Sequence, residues 1–275
     1  MEQYWIASAM LCHLRATCIV ASRTTQKFQP LKEPVATILV IPCFNEELRI
    51  IEQDYLDFSL AHPQHLILFV NDGSTDKTKL LIEKLVSKRP NIQLYSHNKN
   101  GGKAAAVRNG VGYAIENYDF RYIGFMDADL STPLSESIIL ENELESNPAL
   151  QIVMSSRVQM LGKTIKRNLF RHWFSRGIAT LICKVLDEAV YDTQCGAKLF
   201  SRASAERLFS EKFLSSWLFD VEILARHKNI TGKDFKHTVK EIPVSQWTEK
   251  QNSKLRYLSV FKLLHDLYKI KKKYF

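Results

Sequence analysis

The chain has 275 residues, of which 45% are hydrophobic and 24% are charged. This composition suits a globular protein of one large or two small domains and excludes a disordered chain. The formal net charge of +9 favours an anionic partner, which could be nucleic acid, a membrane surface or a phosphorylated substrate. The five cysteines are scattered without a CxxC pair or a zinc-ligand spacing, which favours a reducing compartment.

The excess positive charge is concentrated in two blocks. Residues 157–176 contain six Lys or Arg and no acid, and residues 250–275 contain eight Lys or Arg and one acid, Asp266. These blocks carry +6 and +7, so subtracting them from +9 leaves −4 on the other residues. The body of the protein is therefore mildly acidic.

The first 35 residues differ in pattern from the rest. Residues 4–21 are largely apolar but contain His13 and Arg15 near their middle, and they are short for a membrane span. No basic region precedes them, which argues against a cleaved signal peptide. We predict an amphipathic helix lying on the protein or on a membrane, followed by a linker over 22–35.

From residue 36 onward, short apolar runs alternate with helical patterns, which indicates βαβ units on a parallel sheet. Pro42 is expected to end the first strand, and Ser74 or Thr75 to cap the second helix. Helices are predicted over 46–60 and 76–88, and a third opens at 100–103. The predicted strands are Ala36–Ile41, Leu66–Val70, Ile92–Tyr95, Tyr122–Met126 and Ile152–Ser155.

Three of these strands end in polar loops, over 42–46, 71–76 and 127–129. In an open parallel sheet, ligands bind at the carboxyl ends of the strands, so a nucleotide-type ligand is expected there. Asp127 and Asp129 stand at i and i+2, which places both carboxylates on one side of a strand end. Such a pair suits Mg²⁺ or Mn²⁺ with substrate phosphates. The alternative is a surface turn that caps the next helix.

The segment Asn100–Lys103 is glycine-rich and precedes a helix, but it lacks the GxxxxGK[ST] pattern of a P-loop. Its glycines would allow a phosphate to approach the helix N-terminus. A simple tight turn is the other interpretation, and both stay open.

Together these motifs resemble the family 2 glycosyltransferases of the GT-A fold. The first-half motifs are IPCFNEE (41–47), VNDGSTD (70–76), NGGKAAAVRNG (100–110) and MDADLSTP (126–133). The second half is similar to dolichyl-phosphate β-glucosyltransferases and other polyprenyl-phosphate glycosyltransferases, through SSR (155–157), RHWFSRG (171–177), DTQCGAKLF (192–200), WLFDVEIL (217–224) and EIPVSQWTEKQNSKL (241–255).

The resemblance implies a Rossmann-like α/β fold, with a mostly parallel sheet flanked by helices. A single catalytic domain over 36–255 would lie between a segment over 1–35 and a basic helix over 256–275. The implied activity is inverting, metal-assisted transfer of glucose from UDP-glucose to a dolichyl or polyprenyl phosphate.

The resemblance also assigns the donor-side residues. Pro42 and Glu46 match a loop that packs around uracil, and Asp72 matches an acid that contacts the nucleoside. Lys103 lies in the segment that closes over the nucleotide. Asp127 and Asp129 match the pair that holds Mg²⁺ or Mn²⁺ on the diphosphate.

On the acceptor side, Arg157 and Arg171, together with Ser175, match residues that grip the acceptor phosphate. Arg202 matches a loop that closes on the donor. A phosphate monoester is already largely a dianion at pH 7, so it needs positioning by cations and no general base. Arginine suits that task through bidentate contacts. The carboxylates of Asp220 and Glu222 could therefore bind substrate or be structural.

The C-terminal block has a helical period over 257–268, with an apolar face of Tyr257, Val260, Phe261, Leu264, Leu267 and Tyr268. A basic amphipathic helix of this kind suits an anionic membrane surface, and packing on the domain is the alternative. We expect a protein that is peripherally bound to the cytoplasmic face of a membrane.

The sequence has three other functional interpretations. The first is a soluble family 2 transferase with a saccharide hydroxyl acceptor, and the second is a nucleotide-sugar-binding protein without catalysis, against which the intact Asp127 and Asp129 argue. A sugar nucleotidyltransferase would carry an early GxGTR-type signature, which is absent. No nucleic acid partner is expected, because the basic blocks flank an apparent nucleotide-sugar site.

Overall fold

The computed structural model describes residues 35–158, 164–166, 169–248 and 260–275, without the side chains of 164–166, 169–176 and 260. The strands are β1 (Thr37–Cys43), β2 (His65–Asp72), β3 (Ile92–His97), β4 (Tyr122–Phe125), β5 (Ile152–Ser156), β6 (Thr164–Lys166), β7 (Lys198–Ser201), β8 (Val239–Pro243) and β9 (Gln246–Thr248). The α-helices are α1 (Glu52–Ala61), α2 (Thr78–Lys88), α3 (Lys103–Asn117), α4 (Glu136–Ser146), α5 (Leu169–Leu186), α6 (Arg202–Leu208), α7 (Phe219–Thr231), α8 (Phe235–Thr238) and α9 (Val260–Tyr274).

Seven strands form one sheet in the order β3-β2-β1-β4-β7-β5-β8. Strand β7 runs antiparallel to both of its neighbours, and every other pair in this sheet is parallel. Strands β6 and β9 form a separate parallel pair. The predicted α/β class with a mostly parallel sheet is confirmed.

The central strands form because their residues are apolar on both faces. All eight residues of β2 are buried, as are six of the seven residues of β1. Helices cover both sides of the sheet, and the two main hydrophobic clusters lie on its opposite faces. A parallel sheet covered on both faces requires this continuous apolar run rather than an alternating pattern.

The prediction that Pro42 ends β1 is wrong, because the strand continues to Cys43 and pairs Pro42 with Val70 of β2. The carbonyl of Val40 accepts the Met126 N–H, so Val40 directs its main-chain groups toward β4. By the two-residue period, Pro42 faces the same way. The ladder with β4 ends at Val40, so the N–H that proline lacks has no strand to bond.

The first helix begins later than predicted, at Glu52 instead of residue 46. Residues 46–50 form only a single turn, in which the Ile50 N–H donates to the Glu46 carbonyl at 3.0 Å, and the extended backbone of Ile51 separates this turn from the helix. Side chains that follow β2 bond the main chain at the start of this turn. Glu46 N–H donates to Thr78 Oγ1 at 2.7 Å, and Asn45 N–H donates to Ser74 Oγ at 3.1 Å. The predicted cap of α2 by Ser74 or Thr75 is also wrong, since that helix begins after Lys77 without a side-chain cap.

Helix α9 packs on the domain through one face and exposes the other. Its buried apolar residues are Leu263, Leu267 and Ile270, which join the core beside α5 and α7. Three residues of the face predicted from the sequence are exposed, namely Phe261, Leu264 and Tyr268. Among the described residues, no helix is long and apolar enough to cross a bilayer.

Polar contacts fasten α9 to the connection between α6 and α7. The buried guanidinium of Arg226 donates to the Leu208, Glu211 and Lys212 carbonyls, to Glu222 and to the Tyr274 hydroxyl. The Ser215 hydroxyl donates to Asp266 of α9 at 2.8 Å. The last turns of the chain therefore share hydrogen bonds with the segment that leads into α7.

Candidate active site

The loops that follow β1 and β2 lie side by side at one edge of the sheet, because the two strands are parallel and in register. They are bound to each other by side chains. Asn45 accepts the Thr75 N–H at 2.8 Å, Glu47 accepts the Lys77 N–H at 2.6 Å, and Asp76 accepts the Glu47 N–H at 3.3 Å. Asn45 has a φ of 52°, a left-handed conformation that asparagine tolerates. The two loops, over 44–51 and 73–77, are therefore bonded into one surface, which is called the ledge below.

Asp72, the last residue of β2, holds the start of α3. Its carboxylate accepts the N–H groups of Gly101, at 3.0 Å to each oxygen, and of Gly102, at 2.7 Å. Nδ1 of His97 donates to it at 3.0 Å, and Asn109 donates to the other nitrogen of that ring at 3.3 Å. Burial alone would raise the pKa of Asp72, but the hydrogen bonds from His97 and the glycines outweigh it, so the pKa lies below its usual value.

The glycine-rich segment is a turn whose backbone conformation requires glycine at one position. Gly102 has a φ of 85°, which a residue with a side chain adopts only with strain. Helix α3 begins at the next residue, Lys103, as the sequence predicted. Asp72 was predicted to contact the nucleoside, and in the structure its carboxylate bonds the glycine turn that precedes Lys103.

The two carboxylates after β4 each have a basic partner. Lys103 Nζ lies 2.6 Å from Asp127 Oδ1, and the Arg49 guanidinium forms an ion pair with Asp129. Asp129 also accepts the Ser131 N–H at 3.0 Å. Burial would raise the pKa of Asp127, but the charge of Lys103, followed by those of Lys198 and Arg157, lowers it below its usual value. Asp127 is therefore ionised at neutral pH.

The segment that precedes β7 approaches Asp127 closely. A Cβ placed on Gly196 would lie 2.2 Å from Asp127 Oδ2, so only glycine fits there. Next to it, Cys195 is a buried free thiol whose pKa burial raises to about 11. The DTQCG sequence therefore forms a wall of the same site.

Arg157 forms a bidentate ion pair in this wall. Its Nε and Nη2 donate to the two oxygens of Asp192 at 2.6 and 2.8 Å, and its guanidinium lies over the Trp247 ring at 5.4 Å. Burial would raise the pKa of Asp192, but the bonds and charge of Arg157 lower it to about 2. Glu241 accepts the N–H of Asp192 at 2.8 Å and so orients this carboxylate.

A second ion pair, which is fully buried, lies at the same end of the sheet. Lys198 Nζ is 2.6 Å from Asp220 Oδ1, and it donates to the Cys195 carbonyl at 2.6 Å. Both side chains are buried. The two carboxylates of the FDVE motif therefore differ, because Asp220 reaches the site through Lys198, whereas Glu222 bonds Arg226 and Tyr274.

The structure brings most of the sequence-predicted residues to one edge of the sheet. Pro42 lies near the end of β1, and the Glu46 carboxylate pairs with Arg49 at 3.2 Å. Those at or next to this edge are Pro42, Glu46, Asp72, Lys103, Asp127, Asp129, Arg157 and Asp220. Arg171 and Ser175 lie on α5, but their side chains are outside the described part of the chain.

Arg202 is not brought to this edge. Strand β7 is antiparallel to β4 and pairs Lys198 with Phe125 but Ser201 with Tyr122. Lys198 therefore lies at the Asp127 end and Arg202 at the opposite end. There the Arg202 guanidinium contacts the Tyr118 carbonyl, Asp119 and Glu206. The antiparallel direction of β7 is the reason for this displacement.

Four residues that carry the site were not assigned from the sequence: Arg49, Asp192, Gly196 and Lys198. Lys198 could be recognised as a site candidate from the sequence, because a lysine that opens the apolar run KLF is unusual in a buried strand. Arg49 gave none, because its partner Asp129 is 80 residues away in the chain.

Comparisons with known proteins show the family of this chain. Residues 38–209 match the family model for glycosyl transferase family 2. The chain belongs to this family. Dolichyl-phosphate β-glucosyltransferases of Trichomonas vaginalis and Homo sapiens are 33% and 31% identical to it, over 84% and 79% of this chain and 72% and 68% of theirs. That of Saccharomyces cerevisiae is 30% identical, over 88% of this chain and 76% of its own.

Solved structures of a Mycobacterium tuberculosis enzyme share the fold of this family 2 glycosyltransferase. Glucosyl-3-phosphoglycerate synthase bound to UDP superposes with a TM-score of 0.63 at 17% identity, over 86% of this chain and 80% of that one. The same enzyme with Mn²⁺, UDP and phosphoglyceric acid gives 0.61 at 16% identity, over 86% and 78%. The expected GT-A-like fold of a single domain is confirmed.

Proposed function

We propose that this glycosyltransferase moves glucose from UDP-glucose to dolichyl phosphate or a related polyprenyl phosphate, with inversion at the anomeric carbon. The observation that carries the proposal is the positive charge around Asp127, where Lys103 bonds the carboxylate and the charges of Lys198 and Arg157 help to lower its pKa. Lys103 comes from the donor side, and Arg157 and Lys198 come from the opposite wall. Such a group of charges suits a reaction in which a donor diphosphate and an acceptor phosphate must approach each other.

The carboxylates of Asp127 and Asp129 fit a divalent cation. Asp127 is ionised, and no group of three or more His, Cys, Asp or Glu that could hold a metal occurs among the described residues. Two hard oxygen donors without a third protein ligand suit Mg²⁺ or Mn²⁺ that shares its shell with phosphates and water. Such an ion would neutralise charge on the leaving diphosphate as a Lewis acid.

The donor nucleoside is proposed to lie on the ledge formed by the loops after β1 and β2, near Pro42, Glu46 and Asp72. Asp72 would act there in part by fixing the Gly101–Gly102 turn. Lys103 and the N-terminus of α3 would then face the diphosphate. The choice of UDP-glucose rests on the names of the relatives and on the UDP bound by the M. tuberculosis enzyme.

The acceptor phosphate is proposed to bind Arg157, Arg171 and Ser175. A phosphate oxygen forms a bond to the anomeric carbon while the bond from that carbon to the donor's β-phosphate oxygen breaks. UDP leaves with the electron pair, and one displacement inverts the configuration. The acceptor is already a dianion, so the protein supplies orientation and no general base. The Arg157 guanidinium is already oriented before the acceptor binds, because two hydrogen bonds to Asp192 hold it.

A membrane surface is the proposed location of the acceptor. The exposed face of α9 carries Phe261, Leu264 and Tyr268 next to several lysines, a combination that suits an anionic lipid surface. We place the protein peripherally on the cytoplasmic face of that membrane.

The test is a transfer assay with the purified full chain, Mn²⁺ or Mg²⁺, a panel of UDP- and GDP-sugars, and dolichyl phosphate. We expect a glucosyl lipid phosphate of β configuration, and no product after chelation or with Asp127→Asn. The control Asp119→Asn, at the opposite end of β4, keeps activity. Transfer to saccharide hydroxyls but not to lipid phosphate would overturn the acceptor, and no transfer from any donor would overturn the function.

A further inference from the structure

Two basic side chains occupy the carboxylates proposed to hold the metal ion. Lys103 lies 2.6 Å from Asp127, and the Arg49 guanidinium pairs with Asp129 while also contacting Glu46 at 3.2 Å. They come from different places in the fold, since Arg49 stands in the loop after β1 and Lys103 opens α3. The acidic pair is therefore neutralised by the protein's own cations.

These contacts use the same oxygens that a divalent cation would need. Asp127 Oδ1 is bonded by Lys103, and its Oδ2 lies against Gly196. Asp129 Oδ1 accepts the Ser131 N–H, and its Oδ2 is bonded by Arg49. A cation that is to sit on both carboxylates has to replace Lys103 and Arg49 there.

We propose that Lys103 and Arg49 are exchangeable counter-cations, which neutralise Asp127 and Asp129 in the free protein and move to the donor diphosphate when metal and donor bind together. The inference deepens the proposed function and rests on it. Both side chains are long, and Lys103 is 39% exposed, so its ammonium can leave Asp127 without unpacking the core.

The exchange predicts how metal and nucleotide affect each other. Metal alone binds weakly, because it must displace Lys103 and Arg49 from the two carboxylates. Lys103 then loses its anionic partner, and Arg49 keeps only Glu46. A nucleoside diphosphate supplies that partner, so the two ligands bind with mutual enhancement. Removing one of the protein's cations should make the carboxylates easier to reach and should weaken the dependence on nucleotide.

The experiment measures Mn²⁺ affinity of the purified full chain from the free-ion electron paramagnetic resonance signal, with and without UDP. In Lys103→Met and in Arg49→Met, we expect Mn²⁺ alone to bind roughly fivefold to tenfold more tightly than in the unmodified protein, about the effect of one unit charge near solvent. The enhancement by UDP should shrink in both. Lys103→Arg keeps the charge and should resemble the unmodified protein.

Arg121→Met is the matched control, since Arg121 forms an exposed ion pair with Glu145 at the other end of the sheet. Unchanged or weaker Mn²⁺ binding in Lys103→Met and Arg49→Met, with unfolding temperatures like that of the control, would overturn the exchange. The unmodified protein gives an independent test, because equal Mn²⁺ affinity with and without UDP also overturns it.

One further variant separates this inference from the proposed function. Asp127→Asn should lose Mn²⁺ binding. If it binds Mn²⁺ normally, the metal site itself is wrong, and the metal-assisted function fails with it. If it loses Mn²⁺ while Lys103→Met shows no tightening, only the exchange is wrong.

Discussion

The two sides of the site are held together by different kinds of contact. On the donor side, the loops after β1 and β2 and the start of α3 are fixed by side chains that bond main-chain N–H groups. On the proposed acceptor side, the wall is fixed mainly by the half-buried ion pair Arg157–Asp192 and the buried ion pair Lys198–Asp220. The donor ledge thus depends on backbone geometry, whereas the acceptor wall depends on matched charges.

The two sides should therefore respond differently to the loss of one side chain. Losing one hydrogen bond of the ledge leaves the others in place, so its effect should be moderate. Losing one partner of a buried ion pair leaves an uncompensated charge in a poorly hydrated place, which is far more costly. Predictions from the largest effect to the smallest test this contrast.

The largest effect is expected for Asp192→Ala on the acceptor wall. The variant leaves the Arg157 guanidinium, whose side chain is only 18% exposed, without its carboxylate, and we expect the free energy of unfolding to fall by roughly 3 kcal/mol. Urea denaturation measures this change in the free energy of unfolding. Glu145→Ala, which breaks the exposed pair with Arg121, should cost less than about 1 kcal/mol. Equal losses in the two variants would remove the distinction between buried and exposed pairs.

The next effect is on activity and concerns the contact between the two sides. In Gly196→Ala, the added Cβ would stand 2.2 Å from Asp127 Oδ2, so the carboxylate must move. We expect kcat/KM for glucosyl transfer to fall on the order of 100-fold. Gly112→Ala in α3 is the control, since nothing lies within 4 Å of its Cβ position, and it should keep full activity. Wild-type kcat/KM in Gly196→Ala would contradict the close approach.

A smaller, pH-dependent effect is expected at Asp72 on the donor ledge. Its pKa is lower in the folded protein than in the unfolded chain, so its stabilisation is present above about pH 4 and is lost as the pH falls through the folded-state pKa. The stability advantage over Asp72→Asn should be about 1 kcal/mol at pH 6 and should shrink toward pH 3.

Chemical denaturation at several pH values measures this difference. Glu52→Gln is the control, because Glu52 bonds Lys84 at the surface and its pKa is lowered there with little burial. Its pH-dependent contribution should be under about 0.5 kcal/mol. A difference between Asp72→Asn and the unmodified protein that stays constant with pH would show that the ionised carboxylate does not fix the glycine turn.

The smallest stability effect is expected on the exposed face of α9, at the proposed lipid surface. Phe261 is 85% exposed, so Phe261→Ser should change the free energy of unfolding by less than about 0.5 kcal/mol. It should still reduce co-sedimentation with vesicles that contain phosphatidylserine by roughly threefold or more. Leu267→Ser, at a buried position, should destabilise the protein clearly. Unchanged vesicle binding in Phe261→Ser would remove this face from the lipid contact.

The parts of the molecule that could be predicted from the sequence are those fixed by local pattern. The apolar runs of β1 and β2, and the acidic pair that follows β4, are visible in consecutive residues. The late start of α1 was missed because the extended backbone of Ile51 separates the turn at 46–50 from the helix, and that turn is bonded to Thr78, far along the chain. Contacts between distant segments leave no periodic signal.

The same reasoning explains the residues that the sequence misplaced or omitted. Arg202 was expected near the donor, but the reversed direction of β7 carries it to the other end of the sheet. The buried side of α9 was offset from the predicted one, since Leu263, Leu267 and Ile270 face the core. Both outcomes depend on strand direction and helix rotation, which a one-dimensional pattern does not specify.

The hydrogen bond between Arg226 and Tyr274 of α9 sets a lower limit on the length of a fragment that keeps the fold. A chain cut before residue 260 would lose the Tyr274 hydroxyl that Arg226 and Glu222 share, and the Asp266 carboxylate that Ser215 bonds. It would also uncover the apolar surface that Leu263, Leu267 and Ile270 now fill. Although residues 38–209 match the family model, the packed core of the domain extends to α9.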